Sequence, residues 1–193
     1  MTATGSATAA SAEAILVAAA RNGDLFAWER LVRLFQEPVY RVAYLIVRDT
    51  TLAEAATQST FVRAYHALPS LEGSHALLPW LFRISAAEAR QQRRDSGRPR
   101  NTSRPVERIR APQVPATAVP GLQVAGALSQ PERQLAGEAF ERLGEDDRLT
   151  LASRYLFGLS REDAADALSI PVGLVDERLQ TALRNLRART VVA

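Results

Sequence analysis

Arg83, Arg90 and Arg94 recur at intervals of seven and four residues, which on a helix places three guanidinium groups on one face, with Arg93 beside them. Trp80 and Phe82 stand at the start of the same stretch. Guanidinium groups follow a phosphate backbone and flat rings stack on unpaired bases, so this pattern suits contact with single-stranded nucleic acid. It equally suits two core aromatics beneath a solvated arginine face, and the sequence leaves both readings open. A second candidate lies near the end of the chain. A short helix capped by Ser160 carries Ala164 and Ala165, small enough for close packing; a turn at 169–171 and a longer helix follow. This is the form of a DNA-binding helix-turn-helix, and also of a plain helical hairpin. No stretch has the make-up of a reaction centre: there is no Gly-rich phosphate loop, no nucleophile with its base and no carboxylate pair at motif spacing. The chain has no Cys, which excludes disulfides, thiolate metal sites and thiol nucleophiles. His66 and His75 lack partners for a metal. Neither enzymatic activity, a cofactor nor a metal is expected.

The charge is unevenly placed. All 24 basic residues are Arg, and the net charge is only +3. Residues 90–110 nevertheless hold 8 Arg against 2 acids, while 137–193 hold 8 Arg against 10 acids. A positive block in mid-chain is the footprint of a nucleic-acid contact or of a solvated linker.

The elements that must carry these residues read as helices throughout. Asp24 is a good N-cap, followed by Trp28, Leu31, Val32 and Phe35 on one face. Pro38 is expected to break or kink this run, with Val39, Val42, Ala43 and Ile46 forming the face of a second helix. Thr51 and Glu54 have capping-box spacing for a third helix, whose apolar face would be Phe61, Ala64, Tyr65 and Leu68. A loop at Pro69–Gly73 leads to a fourth helix, from about Pro79 into the arginine block. Residues 95–130 are rich in Pro and Gly and read as a flexible linker that can extend at most about 120 Å. Helices resume after Pro131. One ends near Leu143, a second would be capped by Asp146 and stopped by Gly158, a third by Ser160 with Asp163. The last would bury Val175, Leu179, Ala182, Leu183 and Leu186. The expected fold is all-α, with two small helical domains at 13–94 and 131–190 joined by the 95–130 linker. Met1–Ala12 is small and polar and reads as a disordered lead-in without the order of a signal peptide. No apolar run approaches the ~20 residues of a membrane span, so a cytoplasmic protein without membrane insertion is expected.

Several segments resemble the extracytoplasmic-function (ECF) sigma factors of the sigma-70 family. Gly-Asp-Leu-Phe-Ala-Trp-Glu-Arg-Leu at 23–31 resembles the opening of sigma region two. Residues 53–65 resemble its polymerase-binding helix, and Trp-Leu-Phe-Arg-Ile at 80–84 with Arg93 and Arg94 resembles its promoter-melting helix. Residues 143–159, 160–171 and 172–179 resemble sigma region four and its helix-turn-helix. The likeness covers roughly 23–94 and 131–188 in the family's order. It implies a factor that binds core RNA polymerase and directs promoter-specific transcription initiation. Glu54, Gln58, Phe61 and Arg63 would hold the polymerase. Trp80, Arg83, Arg90, Arg93 and Arg94 would contact the −10 strand. Val172, Gly173, Leu174, Glu177, Arg178, Gln180, Thr181 and Arg184 would face the −35 duplex. An anti-sigma factor is a further implied partner.

The chain departs from the family pattern. Ala55, Ala87 and Gln91 stand where the family usually has Asp, Asn and Asp, and Gly144 where it has Pro. Leu174, Asp176 and Glu177 replace the usual Thr, Lys and Ser. With no Lys to offset them, these two carboxylates are expected to weaken docking on phosphate. The departures keep two other readings open: a sigma-like adaptor that binds polymerase or an anti-sigma factor but reads promoters poorly, and a stand-alone helix-turn-helix regulator.

Overall fold

In the computed structural model the chain is described at residues 3–71, 77–97 and 137–190, with only the backbone described at 3–11 and 187–190. Among these residues all regular elements are helical. Two units are resolved, Met1–Pro105 and Val106–Ala193.

Among the described residues the first unit contains four α-helices and a short 3-10 turn, Leu68–Ser70. Helix α1, Ala3–Arg21, begins inside the stretch read as a lead-in. Its many alanines, the best helix formers, support it intrinsically, and Leu16, Val17 and Ala20 pack it against the core of the unit. Helix α2, Leu25–Val47, starts where the sequence indicates: Asp24 Oδ1 accepts from the Phe26 and Ala27 amides at 2.9 and 3.1 Å. Pro38, however, lies inside this one 23-residue helix and does not divide it. The core face explains the continuity. Phe35 and Val39 are one turn apart, so the two expected apolar stripes are a single stripe in register, buried from Ala27 to Ile46. Its burial offsets the ~3 kcal/mol that an interior proline costs.

Arg48 adopts a left-handed conformation (φ 55°), and Asp49 then caps α3, Thr50–Ala67, accepting from the Leu52 amide at 2.8 Å. The expected Thr51–Glu54 box does not form, because an aspartate two residues earlier already holds the free amide. The buried face of α3 matches the expected one only at Ala64. Small residues, Ala53, Ala56, Thr60 and Ala64, meet the other helices. Phe61 is half-buried and Tyr65 exposed, both beside the Trp28 ring, at ring separations of 6.2 and 5.4 Å. Leu68, by contrast, is buried as expected. Helix α4, Leu77–Ser96, is capped from a distance: Glu13 of α1 accepts from the Leu77 amide at 2.9 Å. Ser85 donates to the Val39 carbonyl and Arg93 to that of Ile46, so α4 runs parallel to α2. Gly73, His75 and the 98–130 part of the linker lie outside the described residues.

In the second unit, residues 137–141 are helical and precede α5, Glu145–Leu151. Gly144, not Asp146, is the N-cap residue; Asp146 falls in the first turn with Glu145 and Asp147, where carboxylates favour the helix dipole. The helix widens into a π turn at Ala152–Leu156, and Gly158 (φ 64°) ends it as anticipated. Ser160 caps α6, Arg161–Leu168, accepting from the Asp163 amide at 3.0 Å. A turn through left-handed Ser169 leads into α7, Val172–Thr190. Val175 and Ala182 are buried, while Leu179, Leu183 and Leu186 pack half-buried beside Leu143 and Leu151. Ser160→Ala is expected to destabilise this unit by about 1 kcal/mol through loss of the cap; a denaturant midpoint that falls at unchanged slope would show it.

Candidate polymerase and promoter interfaces

On α3, Glu54, Gln58 and Phe61 are spaced four and three residues apart, a single face that flanks the buried alanine stripe. Glu54 stands close to α2: burial raises the pKa of the Tyr40 hydroxyl, and the Glu54 carboxylate raises it further. Phe61 leans on Trp28, so its ring is fixed at an edge of the core. Arg63 does not join them. Nine residues beyond Glu54 it lies about half a turn away around the helix, where it forms an ion pair with Glu88 of α4 at 2.7 Å. The sequence shows no sign of this pair, since the partners are separated by 25 positions.

On α4 the core takes Leu81, Phe82, Ser85, Ala86 and Ala89. Phe82 is completely buried, which removes it from any nucleic-acid surface and settles its half of the open question. Trp80 is half-buried against the same core, with part of its ring accessible. Arg83 and Arg94 are exposed and Arg90 is half-buried, on the face opposite the core, with Ala87 among them. Arg94 donates to Gln91 Oε1 at 2.6 Å, and Gln91 in turn to Asp95 at 2.8 Å. Arg93 is turned aside toward the end of α2, where it donates to the Ile46 carbonyl at 3.2 Å. Its guanidinium thus links two helix ends as well as standing beside the stripe.

On α7, Gly173, Glu177, Gln180, Thr181 and Arg184 share the face opposite Val175 and Ala182. Val172 is exposed in the first turn and Leu174 is half-buried at its side. Polar pairs hold both flanks of the helix. On one, Asp176 forms an ion pair with Arg161 of α6. On the other, Arg178 approaches Asp146 at 3.5 Å and Asn185 donates to Asp147 at 2.9 Å. Asp176 therefore has an offsetting cation, contrary to the expectation that both carboxylates stand alone. The arginine that supplies it lies in the preceding helix and was not among the residues singled out.

The arrangement, an exposed polar face on a helix propped by a shorter one, is the helix-turn-helix geometry. Residues 31–99 match the model of sigma-70 region 2. The ECF RNA polymerase sigma-E factors of Salmonella typhimurium LT2 and Escherichia coli K12 are each 33% identical over 178 residues, 86% of this chain and 87% of theirs. The chain belongs to the ECF sigma factors. Sigma-H of Pseudomonas aeruginosa is 29% identical over 177 residues, 85% of this sigma factor and 86% of its relative. Among solved structures, CnrH in complex with the cytosolic domain of CnrY superposes with a TM-score of 0.65 at 24% identity, covering 92% of this chain and 96% of that one. RpoE of Bartonella quintana, solved with the anti-sigma factor NepR, gives 0.60 at 21% identity, covering 85% and 96%. At these identities the structures speak for the fold. The sigma factor acts in transcription initiation, and no helix among its described residues is long and apolar enough to cross a membrane.

Proposed function

We propose that this sigma factor holds core RNA polymerase through Glu54, Gln58 and Phe61 on α3, with Arg63 at a separate point. It opens the −10 element along α4 with Trp80, Arg83, Arg90, Arg93 and Arg94, and docks α7 in the −35 major groove. There Gly173, Glu177, Gln180, Thr181 and Arg184 face the bases, while Val172, Leu174 and Arg178 flank the dock. The expected linker, less its first residues, which belong to the end of α4, tethers the two domains. The chain itself catalyses no step, works in the cytoplasm and binds an anti-sigma partner, as RpoE of Bartonella quintana does in its complex with NepR. One observation carries the reading: the likeness to sigma-E factors spans 86% of the chain and so runs through both helical units. A partner that bound polymerase without reading DNA would need only the first.

The test is association with core enzyme followed by run-off transcription. Gln58→Ala is expected to weaken core affinity about tenfold, a loss of ~1.4 kcal/mol, with thermal stability nearly unchanged. Unaltered affinity would remove α3 from the polymerase interface. Polymerase binding without a transcript from any ECF-type promoter would instead favour the adaptor reading.

A further inference from the structure

We propose that Asp176 acts as an internal stand-in for a DNA phosphate, holding the Arg161 guanidinium until the duplex displaces it. The proposal rests on the docking of α7 against DNA put forward above. Arg161 is the first residue of α6, the shorter helix of the helix-turn-helix, and Asp176 lies on the flank of α7 that faces it. In such a motif the shorter helix crosses the phosphate backbone while the longer one enters the groove. A cation at that position is placed for phosphate, and a guanidinium binds carboxylate and phosphate with the same donor fork.

The pair is accessible to a competitor. The Arg161 and Asp176 side chains retain 51% and 41% of their exposure, so a backbone phosphate can reach the guanidinium without any rearrangement of the core. Exposed pairs of this kind are weak, which makes exchange of the carboxylate for phosphate feasible. The other charges around Arg161 are accounted for. Asp163 receives the Ser160 hydroxyl at 2.7 Å, and Glu162 is exposed in the same turn. Arg178 and Asn185 are engaged on the opposite flank of α7 by Asp146 and Asp147. Asp176 is thus the carboxylate that stands between Arg161 and the polyanion. It lowers affinity in two ways, through its own charge and by occupying a phosphate ligand.

The two contributions separate in a double-mutant cycle on the full chain, using a 30-bp mixed-sequence duplex, because phosphate contact is independent of sequence. Asp176→Asn is expected to tighten binding about three- to tenfold at low salt, because the guanidinium no longer has a carboxylate to give up, with the log–log salt dependence nearly unchanged, since the phosphate contact forms in both proteins. Arg161→Ala alone should weaken binding and make the log–log salt dependence shallower by about 0.9, the value of one lost phosphate contact. In Asp176→Asn with Arg161→Ala most of the tightening should vanish, and Arg161→Lys should restore part of the lost slope. Tightening by Asp176→Asn that persists in full without Arg161 would show simple repulsion and overturn the proposal; so would no tightening at all. Arg184→Ala, on the groove face, separates failure of the proposal from failure of the docking on which it rests. Weakened binding in that variant keeps α7 on the DNA whatever Asp176 does, whereas unaltered binding removes both.

Discussion

Phe82→Ala is expected to unfold the first domain, whereas Arg83→Ala, one residue further on, should leave it folded and unable to open promoters efficiently. Phe82 is completely buried on α4, which packs against α2 and α3, and its truncation leaves a cavity that costs about 3–5 kcal/mol. For a small helical domain that is most of the available stability. Arg83 lies about 100° further around the same helix turn, away from the core, and is exposed. Its removal should change stability by less than about 0.5 kcal/mol. Denaturant titration of both variants checks the first half of the contrast. For the second, permanganate footprinting of the −10 region by reconstituted holoenzyme should show weaker strand opening with Arg83→Ala. If Arg83→Ala opened DNA like the parent, the exposed stripe of α4 would be a solvated face after all. If Phe82→Ala remained as stable as the parent, the packing of α4 onto the core would be wrong.

Phe61 shows why such a contrast needed the structure. Its spacing with Ala64 and Leu68 is that of a core position, yet it sits half-buried at the domain edge beside Trp28. The true interior face of α3 is built from Ala53, Ala56, Thr60 and Ala64, residues too small to register in a pattern of large apolar side chains. Periodicity located α2 and α7 well because their buried stripes contain Leu, Val and Phe. It misjudged Pro38 by weighing the lost backbone bond without the continuous stripe that spans it. Caps were legible where the first suitable side chain was the one used, as at Asp24 and Ser160, and not where a neighbour pre-empted it, as at Asp49.

The candidate interfaces divide in the same way. Membership of a helix face follows from residue number alone, so the stripe on α4 and the outward face of α7 could be read directly. Pairs that depend on tertiary structure could not. Arg63 with Glu88, Arg93 with the Ile46 carbonyl and Arg161 with Asp176 each join residues from different helices. Each assigns a charged side chain a partner within the protein, and two of these arginines are among the residues proposed to contact polymerase or DNA. Binding at Arg63 or Arg93 therefore competes with an existing internal contact, which reduces the net gain from each.

Arg148→Ala is expected to abolish cooperative folding of the second domain while the first remains intact. Arg148 is an arginine with only 7% exposure, and it points inward from α5. It donates to the Leu143 carbonyl at 2.6 Å and approaches that of Glu141 at 3.4 Å, so it satisfies the end of the helical stretch at 137–141. That stretch supplies Phe140, and the turn after it supplies Leu143, to the cluster that receives Leu179, Ala182, Leu183 and Leu186 of α7. Removing the guanidinium forfeits charge-assisted bonds worth about 1.5–3 kcal/mol each and leaves buried carbonyls without a donor. A domain of this size has only about 3–5 kcal/mol to lose. Hydrogen exchange on the full chain should show protection lost across α5, α6 and α7 and retained in α2 to α4. Arg148→Lys, which keeps a donor but not the planar fork, should restore part of it. The functional consequence follows from the division of labour between the domains. Association with core polymerase should persist through α3, while discrimination of the −35 element should disappear with the scaffold of α7. Protection of α5–α7 that survived the alanine variant would mean that Arg148 decorates this core and does not organise it.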